Sequence, residues 1–373
     1  MTSRVLASIA CAATVAVVAS LPVAGQGRTA APPLVVTAYN GGPPLDYRAP
    51  STPWGDPDLQ GVWSSDDATM PMQRPADLGT QLFLDQQALA QRAQQIDAGV
   101  ERAENAVGSF RGDFARRAFG QTSLIVDPPD GRMPPFTTHA ETRRAPRDRG
   151  TFGDGPFETP EDFTLYDRCV TRGIAGSVLR VIYGNGNRIV QAPGMVAISY
   201  EMIHDTRVFY TDGRPHVGDR IRQYLGDSRA RWEGDELVVE TRNLTDRTSI
   251  GLNGNGLRHS DRMIITERFK RVAEDVLQYQ ITIDDPVTYA GPFTMSMPLT
   301  PLDGDVLLPY ECHEGNLAVL QSLGGARAED EALEDDLTRG IIRPRRGVQE
   351  SGTGGGGGGR GRGAAPVEGD QER

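Results

Sequence analysis

The sequence predicts a mainly β protein, an antiparallel β-barrel or a sandwich, with a peripheral N-terminal helix and a disordered C-terminal tail. From about residue 178 to 312, short segments in which apolar and polar residues alternate, as they do in strands, follow one another. Short reversals rather than helices separate these segments, which indicates antiparallel pairing. A closed barrel or a sandwich hides the edges that such strands would otherwise expose.

The first residues predict a cleavable signal peptide over residues 1–25. A single basic residue precedes an apolar run from Val5 to Leu21, and the small residues beyond it suit cleavage after Ala24 or Gly25. The alternative is a retained N-terminal anchor, although the run is short beside the roughly 20 residues of a membrane span. Cleavage predicts a periplasmic or extracellular protein with no stable membrane insertion after processing.

The remaining chain divides into three parts. Residues 26–58 are rich in proline and glycine and predict a linker or an extended arm. Residues 59–343 predict a single β-rich domain with a helix near 85–104, for which Asp85 is a plausible N-cap. Residues 344–373 are rich in glycine and arginine and predict a disordered tail.

Strand-like segments fill the second half of the domain. The run around Gly234 and Asp235 is typical of a hairpin, and a second hairpin is expected where two long apolar segments flank residues 273–275. The predicted strands are Ile189–Gln191, Met195–Ile203, Arg207–Tyr210, the two arms of Arg231–Glu240, Met263–Val272, Val276–Ile283 and Phe293–Leu299, with an earlier strand at Gly61–Trp63.

The net charge of the chain restricts the kinds of molecule that it is expected to bind. The formal net charge is −11 and the pI is about 5.1. Nucleic acids and anionic membranes are bound through basic faces, so neither is an expected partner. A small-molecule ligand is the partner that the polar residues described below suggest.

Two cysteines, Cys169 and Cys312, remain once Cys11 leaves with the signal peptide. In an oxidising compartment they are candidates for a disulfide, and the alternative is a pair of buried free thiols. A bond would bring Asp167 and Arg172, near the first cysteine, towards His313.

Period-two alternation places several polar residues among apolar neighbours. Glu267 shares a face with Ile265 and Phe269, where a carboxylate needs a partner or a function. Tyr200 lies on an apolar face that ends at His204, and the face that contains Tyr279 ends at Asp285, as the sequence rows indicate.

These residues suggest general acid–base chemistry at the barrel mouth. Glu267 or Asp285 would pair with His204, and Arg207, Tyr200 and Tyr279 would orient the substrate, since a carboxylate in apolar surroundings has a raised pKa. The alternative is structural, with Glu267 bonded to an interior arginine or a tyrosine hydroxyl.

A second polar cluster follows the last predicted strand. Glu311, Cys312, His313 and Glu314 are consecutive. They suit the rim of a ligand pocket, with His313 as a further catalytic candidate and Glu311, Glu314, Asp167 and Arg172 as ligand-binding residues. If Cys312 is reduced, a metal site is the alternative, with His204 and His216 as distant ligands. No cofactor is predicted.

Four motifs resemble those of a family of exported bacterial proteins, and the resemblance covers residues 53–330. The motifs are PWGDPDLQGVW from Pro53, YDRC from Tyr166, DDP from Asp284 and ECHEGN from Glu311. The resemblance implies a common architecture and supplies no mechanism. Gly61-Val62-Trp63 is also similar to the Gly-x-Trp start of lipocalin-like (calycin) barrels, which favours a barrel over a sandwich.

Three functions are consistent with this sequence. The first is an exported barrel that binds a small organic molecule and performs a proton-transfer step, as a lyase, isomerase or hydrolase. The second is a periplasmic ligand carrier without a catalytic pair. The third is an interaction protein of the cell envelope. The sequence contains no Gly-x-Ser-x-Gly, His-Glu-x-x-His or Cys-x-x-Cys motif that would select among them.

Overall fold

The structure is a computed structural model, which describes residues 47–105, 115–142, 157–181, 183–250, 259–302, 304 and 306–343. The predicted signal peptide, most of the proline-rich arm and the predicted disordered tail lie outside these residues.

The described chain is mainly β. Its ten strands are β1 (Gly61–Ser64), β2 (Ile125–Asp127), β3 (Gly186–Ala192), β4 (Met195–Tyr200), β5 (Thr206–Tyr210), β6 (Asp227–Glu233), β7 (Glu236–Arg242), β8 (Ile264–Ala273), β9 (Val276–Asp284) and β10 (Phe293–Pro301).

Nine of these strands form a closed barrel, which confirms the mainly β fold class and decides for a barrel over a sandwich. The order is β1-β3-β4-β5-β6-β7-β8-β9-β10, and β1 closes the ring by pairing with β10 at Trp63 and Pro301. The pairings are antiparallel except for β5 and β6, which run parallel at Tyr210 and Arg229. β2 pairs with the other half of β10.

Strand β4 ends earlier than the sequence predicts. It stops at Tyr200, and a single turn of 3-10 helix follows over Met202–His204. Ile203 and His204 both have positive φ, at 63° and 44°, which lies outside the β region of backbone conformation. The chain therefore reverses here, and the apolar alternation through Ile203 gives no sign of the reversal.

Within the described ranges, four α-helices accompany the barrel: α1 (Gln86–Asn105), α2 (Thr138–Thr142), α3 (Gly173–Val178) and α4 (Leu317–Thr338). Asp85 caps α1 as predicted, since its carboxylate accepts the Ala88 N–H at 2.8 Å. The sequence analysis does not anticipate α4. Of the helices described, none has both the length and the apolar character of a membrane span.

The core fills the barrel and continues on the outer side of two strands. β9 and β10 are buried on both faces, except at one end of each. The outer layer includes Gln121, whose side-chain amide donates to the carbonyls of Ser123 and Ser296. The segment before β2 therefore covers the outer side of β10.

Candidate functional site

A buried polar network occupies the barrel interior, with one residue from each of six consecutive strands. We call it the barrel-core network, and its members are Tyr200, Arg207, Ser228, Thr241, Glu267 and Tyr279. Each side chain points inward because alternate residues of a strand face the same side. The sequence analysis predicts Tyr200, Arg207, Glu267 and Tyr279 as neighbours, and the structure brings them together.

An ion pair lies at the centre of this network. Arg207 donates Nη1–H to Glu267 Oε1 at 2.9 Å and Nη2–H to Oε2 at 2.6 Å, a two-point contact. The Tyr279 hydroxyl also donates to Glu267 Oε1, at 3.0 Å, and Arg207 donates to the Tyr200 hydroxyl at 3.0 Å. Glu267 is fully buried and Arg207 is 4% exposed.

Hydroxyl groups complete the surroundings of the guanidinium. Arg207 Nη2 donates to Ser228 at 3.1 Å and to Thr241 at 3.0 Å. Burial alone would lower the pKa of Arg207, but the charge of Glu267 outweighs it and raises that pKa above its ordinary value. Burial raises the pKa of Tyr200 to about 12, so this phenol stays protonated at neutral pH.

This geometry favours the structural interpretation of Glu267. Both of its oxygens are bonded to a cation, and one also accepts from a phenol. A general base needs a free lone pair towards the substrate, and these contacts orient the carboxylate towards protein groups. The barrel-core network therefore holds six strands together and is a weak candidate for catalysis.

The other two members of the predicted acid–base set lie elsewhere. His204 is exposed in the turn between β4 and β5, whereas Glu267 is fully buried. Asp285 is also buried, and its carboxylate accepts the N–H and O–H of Ser260 at 2.6 and 2.7 Å. It accepts the backbone N–H of Val287 as well, so it stabilises the turn after β9.

The two cysteines are joined. Cys169 and Cys312, 143 residues apart, form a disulfide. The bond connects the segment before α3 to the segment before α4. Of the predicted rim residues, Glu311, His313 and Glu314 are all exposed beside it.

A cavity of about 540 Å³ opens beside this disulfide. We call it the tyrosine cavity, because three tyrosines line it together with both cysteines. The lining combines two segments that are distant in sequence, one that ends at β3 and one at the start of α4: Phe157, Phe163, Tyr166, Asp167, Cys169 and Tyr183 from the first, and Tyr310, Glu311, Cys312, Gly315, Asn316, Ala318, Val319 and Ser322 from the second.

Three predicted ligand-binding residues lie in the lining of this cavity or behind it, namely Asp167, Glu311 and Arg172. The Asp167 carboxylate lines the cavity and accepts the N–H and O–H of Thr164 at 3.2 and 2.8 Å. Arg172 is 1% exposed, and its guanidinium carbon lies 5.7 Å from the ring centre of Tyr166. Burial lowers the pKa of Arg172 to about 10, against the opposing effect of Tyr166, so the group remains cationic at neutral pH.

A second cavity, of about 530 Å³, is lined in part by Val170 and Thr171. These residues directly follow Cys169, which lines the tyrosine cavity. Asp205 also lines it, and its carboxylate accepts the Thr171 hydroxyl at 2.6 Å. Burial raises the pKa of Asp205 above its ordinary value, against the lowering effect of that bond. Arg222, on the same wall, is bonded to Asp261 and to the Leu244 carbonyl.

The aromatic residues of the tyrosine cavity are not predicted from the sequence. Tyr166 belongs to one of the motifs quoted above and Tyr310 directly precedes another, yet neither is among the predicted site residues, and nor are Phe157, Phe163 and Tyr183. One signal was present, because an aromatic residue lies three positions before Cys169 and another lies two before Cys312.

The fold and the cavity define a class of protein. It is a closed barrel of mixed parallel and antiparallel strands, with a cavity outside the barrel core whose two walls are joined by a disulfide. Comparison with protein-family models, curated proteins and solved structures finds no match. Across the described residues, no three His, Cys, Asp or Glu side chains are grouped so as to hold a metal ion. Cys312 is in the disulfide, and His216 bonds to Asp227 at 2.8 Å.

Proposed function

We propose that this protein is an exported binding protein that holds a small organic molecule in the tyrosine cavity without performing acid–base chemistry on it. The observation that carries the proposal is the cavity itself, whose volume of about 540 Å³ lies within the range of ligand sites, roughly 300–1,000 Å³. Half of its lining residues are aromatic or aliphatic, and Asp167, Glu311, Asn316 and Ser322 add polar groups that can orient a ligand.

The titratable groups of the cavity favour binding over proton transfer. Burial raises the pKa values of Tyr166 and Tyr310 above their ordinary value, so both phenols are neutral hydrogen-bond donors and poor bases. His313 is exposed at the rim and is not among the lining residues. Of the three functions that the sequence allows, the ligand carrier therefore has the most support.

A ligand screen with a blocked variant tests this proposal. Ser322→Trp places an indole on the wall of the cavity, and Gln321→Trp places the same ring on the exposed side of α4. We expect thermal-shift screening of small organic molecules to find ligands that raise the Tm of the unmodified protein and of the Gln321 variant. A ligand at 100 times its Kd stabilises the folded state by about 2.7 kcal/mol.

The Ser322→Trp protein should show no such shift with the same ligands, although it folds. If no compound stabilises the unmodified protein, the carrier proposal is wrong. If the Ser322 variant responds as strongly as the control variant, the protein binds ligands at another site.

Export is part of the proposal and has its own test. The disulfide between Cys169 and Cys312 is typical of oxidising compartments outside the cytoplasm. When the full chain is expressed in a bacterial host, mass spectrometry of the periplasmic fraction should find a protein that begins at Gly25 or Gln26. Recovery of an intact chain that still begins at Met1 would contradict the prediction.

A further inference from the structure

The walls of the tyrosine cavity are suited to a flat ring. Phe157 and Phe163 stack with ring centres 4.4 Å apart and planes 14° from parallel. Tyr183 and Tyr310 also stack, at 6.4 Å and 25°. Aromatic side chains bind an aromatic ligand through offset stacking and edge contacts, which adds to the gain from burying apolar area.

One part of the wall presents hydrogen-bond donors. The hydroxyls of Tyr166 and Tyr310 share a long hydrogen bond of 3.5 Å, and both residues line the cavity. Each hydroxyl keeps its proton at neutral pH, because burial raises both pKa values. A ligand group with two acceptor oxygens can take a hydrogen bond from each of these phenols when it replaces their long mutual bond.

Positive charge lies behind the same tyrosines. Arg172 contacts the face of Tyr166 and is 1% exposed, so water screens its charge little. Two carboxylates line the cavity and oppose an anion. Thr164 donates two hydrogen bonds to Asp167, and Glu311 is exposed to solvent, which weakens its effect.

The start of α4 adds to this positive potential. Asn316 occupies the N-cap position but makes no capping bond, and its amide donates instead to the Asp167 carbonyl and to Cys169 Sγ. Ala318 and Val319, in the first turn, line the cavity. The first N–H groups of a helix have no partner within the helix and favour negative charge.

From this arrangement we propose that the ligand of the tyrosine cavity is an aromatic carboxylate, with its ring between the aromatic walls and its carboxylate at the hydroxyls of Tyr166 and Tyr310. This inference rests on the proposed function, since it assigns a chemical class to the ligand of the same cavity. A neutral aromatic molecule would make the ring contacts without a favourable charge interaction. The cation of an aromatic amine would be repelled by the positive charge of Arg172.

Three matched probes test the assignment by isothermal titration calorimetry on the full chain. They are 2-naphthoate, 2-naphthamide and 2-naphthylmethylamine, which share a ring system and differ in charge. We expect 2-naphthoate to bind at least tenfold tighter than the amide, with the amine weakest. Tyr310→Phe should weaken 2-naphthoate about tenfold, and Tyr224→Phe, in the second cavity, should leave its affinity unchanged.

An exposed residue provides a variant that does not disturb the fold. Glu311→Gln removes a rim carboxylate and should strengthen 2-naphthoate about twofold without changing 2-naphthamide. Equal or tighter binding of the amide or the amine overturns the carboxylate assignment, as does failure of all three probes. Either of these results leaves the carrier proposal intact if the ligand screen has found a compound whose binding Ser322→Trp abolishes. The carrier proposal is wrong only if the screen finds no such compound.

Discussion

Replacing Glu267 with alanine is expected to lower the free energy of unfolding by about 3–5 kcal/mol, as removal of one partner of a buried ion pair does. The Arg207 guanidinium would remain in the core with its charge uncompensated. The Tyr279 hydroxyl would also lose its acceptor. Urea unfolding followed by circular dichroism measures the loss.

Two further variants separate charge from packing at this position. Glu267→Gln keeps the shape and one acceptor oxygen, so its cost should fall below that of alanine. The double variant Arg207→Met/Glu267→Met removes both charges and should be neutral, or more stable by about 1–4 kcal/mol, as for other buried pairs replaced by apolar residues. A cost below about 1 kcal/mol for alanine would contradict the structural role, because a buried charge left alone costs more than that.

The same variants decide between the two interpretations of Glu267 that the sequence leaves open. If the residue only stabilises the barrel, Arg207→Met/Glu267→Met should bind ligands in the tyrosine cavity as the unmodified protein does. A catalytic Glu267 predicts a folded double variant that has lost an activity. The two contacts to Arg207 and the one to Tyr279 favour the first result.

Local patterns of the sequence predict most of the barrel. Alternation identifies the inward row of β8, where Ile265, Glu267 and Phe269 are all buried, and so finds a buried carboxylate that needs a partner. Hairpins are equally local, since Gly234 takes a positive φ in the turn between β6 and β7. Residues close in sequence decide these features, so no knowledge of the whole fold is needed.

Features that depend on distant contacts are harder to predict. β9 and β10 are covered on their outer faces by a segment more than a hundred residues earlier, and their polar residues look exposed in the sequence. The parallel contact between β5 and β6 depends on a long connection that has no strand pattern. Closure of the ring requires β1 to meet β10, which no local pattern specifies.

The candidate site is divided in the same way. The sequence identifies the rim residues and the cysteine pair, but the walls of the tyrosine cavity come from two segments that meet only in three dimensions. Tyr166 and Tyr310 lie 144 residues apart and nearly touch through their hydroxyls. Partly buried aromatic residues in irregular segments have no periodicity, so the cysteines near Tyr166 and Tyr310 are the marker that the sequence offers.

Replacing both cysteines, as Cys169→Ala/Cys312→Ala, is expected to cost about 2–5 kcal/mol of stability. A bond that closes a loop of 143 residues restricts the unfolded chain, and the chain-entropy relation gives on the order of 5 kcal/mol for that length. Urea unfolding should show the loss. Dithiothreitol should reproduce it in the unmodified protein and leave the double variant unchanged.

Removal of the disulfide should also weaken ligand binding in the tyrosine cavity, because the bond joins the two walls of that cavity. The double variant also loses the Asn316 bond to Cys169 Sγ. The wall that contains Tyr166 then remains tied to the start of α4 by the Asn316 bond to the Asp167 carbonyl and by the hydroxyl bond to Tyr310. Ligands found in the screen should bind the double variant more weakly, and their affinity should respond to dithiothreitol only in the unmodified protein. Unchanged affinity in a destabilised double variant would show that the bond stabilises the fold without shaping the cavity.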